Sequence, residues 1–186
     1  VSSFNQKRRI NEYLPTALAV ELLHNFTLVH DDVMDNDLER RGNLTIHNKW
    51  DVSVAILVGD AILALSLDSL QKNAVDNQHL SPIFFNGMLA VCEGQALDKE
   101  FETNKEVSID DYLCMIDKKT GHLLGMSAQL GACLVKADLD VQKKFMNFGL
   151  LLGRAFQIQD DLLELTSTNN TLGKSTDSDI LLEKKT

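Results

Sequence analysis

Apolar residues in this chain return every three or four positions over long stretches, the period of a helix that buries one face. Leu14, Leu18 and Leu22 fall on one row with Leu23, Phe26 and Val29 beside it, which predicts a helix from Leu14 to Met34. The polar segment from Asp35 to Asn43 reads as a turn, and further helices are predicted from about Asp51 to Asn73 and from Ser81 to about Asn104. Ser108-Ile-Asp-Asp is a start signal, because a serine hydroxyl satisfies backbone N–H groups of a first turn. That helix runs to a break at Thr120-Gly121, after which the pattern resumes to about Lys136. Asp138 or Asp140 opens a last helix, which carries Phe145, Phe148, Leu152, Phe156 and Ile158. Gly149 and Gly153 on it, four apart, suit close helix packing better than a phosphate loop. Residues 1–10 show no period, and Thr166 to Ser178 reads as loop. No runs of alternating β-branched and aromatic residues predict strands. With no repeat and no linker, the expectation is a single all-α domain, an antiparallel helical bundle around a central cavity.

Composition narrows the chemistry. A chain of 186 residues is long enough for one real core, and two prolines, Pro15 and Pro82, leave long helices uninterrupted. A net charge of −9 argues against a nucleic-acid partner. An acidic protein still binds phosphates when divalent cations stand between carboxylate and ligand. Cys92, Cys114 and Cys133 fit no zinc spacing and are read as reduced core thiols of a cytoplasmic protein. The most apolar stretch, Ala55 to Leu67, is interrupted by Gly59 and Asp60 and is read as too short for a transmembrane span.

Two acidic clusters stand out. In Val29-His-Asp-Asp-Val-Met-Asp, Asp31 and Asp35 share one helix face, a spacing suited to clamping small divalent cations. They also lie near a helix C-terminus, where the macrodipole disfavours negative charge and bound cations would relieve it. A solvated acidic helix end is the ordinary alternative. Phe156-Gln-Ile-Gln-Asp-Asp-Leu-Leu-Glu repeats the arrangement with Asp160, Asp161 and Glu164, and two such helix ends facing one cavity make a stronger signal than either alone. Oxygen donors without His or Cys favour Mg2+ or Mn2+. Arg40, Arg41, Lys118, Lys119 and Lys174 are placed to meet phosphate, although each taken singly also suits a surface.

These segments, ELLHNFTLVHDDVMDNDLERRGNLTIHNKW, AILVGDAILAL, EGQALDKEFE, KKTGHLLGMSAQLGA and FQIQDDLLEL, together resemble the trans-prenyl diphosphate synthases, and most nearly geranylgeranyl diphosphate synthases of the archaeal-like type. The resemblance implies an isoprenoid-synthase bundle that joins isopentenyl diphosphate to an allylic diphosphate with Mg2+, three ions per site, as a homodimer. It implies that Asp31 and Asp35 hold two ions with Asp32 in support, that Asp160 with Asp161 and Glu164 holds a third, and that Asp98 approaches them. Arg40, Lys119 and Lys174 would bind the allylic diphosphate, and His24 and Arg41 isopentenyl diphosphate, while Thr120 and Gln157 would face the reacting carbons. His24, on an otherwise apolar helix, has a core histidine as its ordinary reading. Phe26 and Thr27, five and four positions before Asp31, are expected to floor the product pocket and favour farnesyl to geranylgeranyl products.

The chain departs from the family in three places. Glu164 stands where Asp is typical, Lys7-Arg8-Arg9 is at most a remnant of a Gly-Lys-x-x-Arg segment, and family members carry further helices. The expectation is therefore a domain incomplete at both ends. Two other readings fit parts of the pattern: a non-catalytic regulatory subunit, and a terpene cyclase, whose second motif has a different spacing.

Overall fold

The computed structural model describes residues 10–74, 77–104 and 106–166. A short 3-10 turn, Ile10–Glu12, leads into α1 (Leu14–Asp35), followed by a two-strand ladder, β1 (Glu39–Arg40) and β2 (Asn43–Leu44), and the single turn α2 (Ile46–Lys49). Then come α3 (Val52–Ala74), α4 (Leu80–Thr103), α5 (Ile109–Ile116), a π-helical segment (Asp117–Gly121), α6 (His122–Leu134) and α7 (Leu139–Thr166). Two close pairs, α1 with α3 and α6 with α7, are joined by α4, which lies against α6 and the π segment.

Local chemistry explains the ends. Ser108 Oγ accepts from the Asp111 amide at 3.1 Å and the Asp111 carboxylate accepts from the Ser108 amide at 3.0 Å, a reciprocal cap that starts α5 where the sequence places it. Asn36 closes α1 in the left-handed region (φ 56), and its N–H reaches the Asp32 carbonyl. On the α1–α3 face, Ser66 Oγ donates to the Ala19 carbonyl at 2.7 Å and Ser69 Oγ to the Pro15 carbonyl at 2.8 Å, so small polar residues let the backbones approach. Glycines do the same where α7 meets α6 and the π segment. A Cβ added at Gly149 would sit 2.5 Å from Gly125 Cα, and one added at Gly153 would sit 2.5 Å from Gly121 Cα. Close helix packing is thus the role of these glycines.

Several expectations change. The buried row of α1 is Thr16, Ala19 and Leu23, with Tyr13 just before it; Leu14 and Leu18 are exposed. Leu23 joins Leu70, Leu80, Phe84, Met126 and Leu130 in the main core. The expected turn after α1 contains a short ladder, Glu39 opposite Leu44 and Arg40 opposite Asn43, too brief to show alternation. The expected break at Thr120-Gly121 is no break, because the π segment carries α5 into α6. Of the three cysteines only Cys133 is buried; Cys92 and Cys114 are exposed. Gly59 and Asp60 do not interrupt α3, which at 23 residues, with a mean hydropathy of 1.8 over its most apolar 18, is long and apolar enough to cross a membrane. In the bundle it packs along α1, burying Ala55, Gly59, Ser66, Ser69 and Leu70.

Candidate active site

The C-terminal end of α1, the middle of α4, the π segment and the last third of α7 meet in one polar region. Gly94 on α4 makes this possible: a Cβ there would lie 2.2 Å from the Lys119 backbone nitrogen, so only glycine lets the π segment rest on α4. So placed, Lys119 Nζ contacts Asp98 Oδ2 at 2.6 Å and stands 4.0 Å from Asp31 Oδ2. The next residue, Thr120, donates its hydroxyl to Gln157 Oε1 at 2.9 Å, and Gln157 Nε2 donates to Asp161 Oδ1 at 2.8 Å. Two adjacent residues of one helical turn therefore connect the two acidic clusters.

Charge is crowded here. Burial raises the Asp31 pKa above the usual carboxylate range, Lys119 opposes this, and Asp35 and Asp98 push it further up. Burial works against the charge of Lys119, but Asp31, Asp98 and Asp35 outweigh it and hold the ammonium above its ordinary pKa. Lys99 places a second ammonium among the acids, 3.5 Å from Asp35 Oδ1, with Nζ donating to the Met34 carbonyl at 3.0 Å and to Glu102 at 2.7 Å. Among the described residues no three carboxylate, imidazole or thiol groups converge into a ready cage for an ion. Asp31, Asp35 and Asp98 are instead bridged by lysine ammonium groups. An all-oxygen donor set with mutually repelling, half-buried carboxylates has the chemistry that accepts a hard divalent cation, so Mg2+ fits these residues.

Asp32 faces the other way. It is buried, and its Oδ1 accepts from Arg40 Nε at 2.5 Å, while Arg40 Nη2 reaches Asp37 Oδ2 at 3.5 Å. Burial raises the Asp32 pKa against the opposing hydrogen bond and charge of Arg40. Arg41 is exposed on the hairpin at φ 54. Burial lowers the His24 pKa, Glu21 opposes, and Arg41 and Arg40 lower it further, which favours the neutral imidazole. Asp160 is exposed beside Asp161. Lys174 and the side chain of Glu164 lie outside the described residues.

An apolar cavity of about 440 Å3 lies between α1, α6 and α7, lined by residues including Tyr13, Ala17, Val20, Leu124, Phe148 and Leu152. Thr27, Val20 and Ala17 share the face of α1 that carries Asp31, and Val20 lies about 16 Å along the helix from it. Phe26, turned about 140° from that face, packs on the main core, its ring 4.6 Å from that of His30. Thr27 Oγ1 donates to the His24 carbonyl at 2.7 Å.

Sequence reasoning missed Lys99, Tyr112 and Arg154. Tyr112 on α5 donates its hydroxyl to Asp161 Oδ2 at 2.5 Å. Arg154 on α7 forks onto Asp117, Nε to Oδ1 at 2.8 Å and Nη2 to Oδ2 at 2.5 Å, and so ties the π segment to α7. A signal for Arg154 was present, since Arg154, Gln157 and Asp161 follow one another at helical spacing.

A family model described as Polyprenyl synthetase matches residues 1–186. The geranylgeranyl diphosphate synthase of Methanosarcina mazei is 41% identical over 95% of this chain and 56% of its own length. That of Saccharolobus solfataricus is 45% identical over 91% of this chain and 53% of its own. A crystal structure of polyprenyl synthase from Caulobacter crescentus CB15, complexed with calcium and isoprenyl diphosphate, superposes with a TM-score of 0.88 at 30% identity, covering 94% of this chain and 53% of that one. The chain thus spans about half the length of the relatives it matches.

Proposed function

This chain belongs to the polyprenyl synthetase family, and on that premise we propose that the protein containing it condenses isopentenyl diphosphate head-to-tail with an allylic diphosphate. The observation that carries the reading is the Lys119-Thr120 pair, which joins Asp31 and Asp98 on one side to Gln157 and Asp161 on the other. When bound, Mg2+ supplies stabilisation of charge developing on a leaving diphosphate. Asp31, Asp35 and Asp160 would hold it, three ions per site, with Asp32, Asp98, Asp161 and Glu164 around them. The calcium and isoprenyl diphosphate of the Caulobacter relative support this ligand pair.

In this reading Lys119, Arg40 and Lys174 bind the allylic diphosphate, and His24 and Arg41 the isopentenyl diphosphate. Lys119 then exchanges its contact with Asp98 for phosphate oxygen, an ammonium moving between two anionic partners. Thr120 and Gln157 face the carbon that becomes electron-poor as the C–O bond breaks. The double bond of isopentenyl diphosphate attacks that carbon, and proton loss completes a chain longer by one isoprene unit. The prenyl tail runs down the Asp31 face of α1, past Thr27 and on the side turned away from Phe26, toward the apolar cavity, and farnesyl to geranylgeranyl products follow. Exposed Ile56, Leu57 and Leu65 on α3 and Phe85 and Leu89 on α4 form apolar faces for a second copy, in a cytoplasmic homodimer.

The test is incubation of the full-length protein with labelled isopentenyl diphosphate, Mg2+ and allylic primers of several lengths, followed by chromatography. Elongated linear diphosphates are expected. Cyclised hydrocarbon would favour a terpene cyclase, and absence of any product a regulatory subunit.

A further inference from the structure

Asp161 offers two carboxylate oxygens, and each already accepts from a neutral protein donor: Oδ2 from the Tyr112 hydroxyl at 2.5 Å and Oδ1 from Gln157 Nε2 at 2.8 Å. A carboxylate only accepts, so it fixes the direction of every bond linked to it. The Gln157 amide must turn its NH2 toward Asp161 and its oxygen toward Thr120, and the Thr120 hydroxyl must then donate, as it does at 2.9 Å. With its proton committed, Thr120 has only oxygen lone pairs left to offer, the polarity that suits an electron-poor carbon. Tyr112 comes from α5, ahead of the π segment, so its bond also ties the end of α7 to the helix that leads into Lys119. Asp160, exposed next to Asp161, is not engaged in this chain of bonds.

We propose that Tyr112 is a positioning residue for prenyl transfer, and that Asp161 is the hub through which it orients Gln157 and Thr120 rather than a direct metal ligand. The proposal rests on the prenyl-transfer reading above. Tyr112 touches no substrate in this role. It holds a half-buried carboxylate in one rotamer, and that carboxylate sets the amide that sets the hydroxyl. Arg154, on the same face of α7, pins the other side of the π segment through Asp117.

Tyr112→Phe, Asp161→Asn, their combination and Asp160→Asn, made in the full-length protein, provide the test. In metal-free protein the thermal midpoints should be coupled, with the double variant no less stable than Asp161→Asn alone. In turnover, Tyr112→Phe should lower kcat about tenfold, the worth of one hydrogen bond to a charged group. Its allylic KM and its half-saturating Mg2+ concentration should stay close to wild type. Asp161→Asn should also leave the Mg2+ midpoint in place, whereas Asp160→Asn should raise it. A Mg2+ midpoint raised as far by Asp161→Asn as by Asp160→Asn, or additive effects of Tyr112→Phe and Asp161→Asn, would overturn the hub. An inert wild-type protein would instead sink the prenyl-transfer reading, a separate failure that the metal-free thermal cycle does not share.

Discussion

Replacing Gly94 with alanine adds one methyl group at the point where α4 supports the π segment. The new carbon would lie 2.2 Å from the Lys119 nitrogen, 2.6 Å from its Cα and 2.7 Å from the Lys118 carbonyl carbon, whereas ordinary contact begins at 3.4 Å. All three neighbours are backbone, so no side chain can swing aside, and the segment must withdraw by about 1.2 Å. That shift would break the 2.6 Å contact between Lys119 and Asp98 and strain the Thr120–Gln157 bond. Overpacking of this kind costs about 1–3 kcal/mol, and the better helix propensity of alanine returns about 1 kcal/mol. The protein should therefore remain folded. Misplacement of a catalytic constellation by about 1 Å lowers rate on the order of a hundredfold, so kcat/KM for prenyl transfer should collapse while the thermal midpoint moves little. Steady-state kinetics and thermal unfolding of Gly94→Ala in the full-length protein measure both. Wild-type kcat/KM in a folded Gly94→Ala enzyme would show that the seating of the π segment on α4 does not control the site.

Lys119→Ala should impair turnover at least tenfold, whereas Lys136→Ala, exposed just beyond α6, should not change it; equal kinetics in the two variants would refute the diphosphate role. Asp31→Ala should abolish Mg2+-dependent product formation, and activity that persists in excess EDTA would contradict the metal assignment. Phe26→Ala, off the face that the tail follows, should cost about 3 kcal/mol in stability and leave the product distribution in place; products shifted to longer chains in a folded variant would show that Phe26 is part of the floor. Gly149→Leu should destabilise the α6–α7 pair enough to lower the thermal midpoint by several degrees, since even a Cβ meets Gly125 Cα at 2.5 Å; an unshifted midpoint would mean the two helices are free to part.

The long helices were legible because their apolar periods run for about six turns or more, and α3, α4 and α7 begin within two residues of where the pattern places them. The error inside α1 has a specific cause. Hydrophobicity alone favours Leu14 and Leu18 over Thr16 and Ala19, but the close partner α3 selects small side chains at the contact and leaves the leucines outside. A ladder of two residues per strand carries no period at all. The acids were legible from their spacing, whereas Tyr112 reaches Asp161 across 49 positions and Lys119 meets Asp98 across 21, distances at which local pattern carries no information.

The π segment gives the molecule a conflict between folding and chemistry. A π turn is one residue more than an α-helix needs, and its hydrogen bonds are poorer. Removing a single residue between Asp117 and Gly121 would heal α5 and α6 into a seamless helix. The same deletion would leave α5 and α6 nearly in phase but draw in the wide turn between them, so that Lys119 and Thr120 could no longer both reach their partners Asp98 and Gln157. The surplus residue is thus a defect that drift toward a better helix would erase and that retention of the site forbids: this stretch should resist shortening while exposed loops vary freely in length.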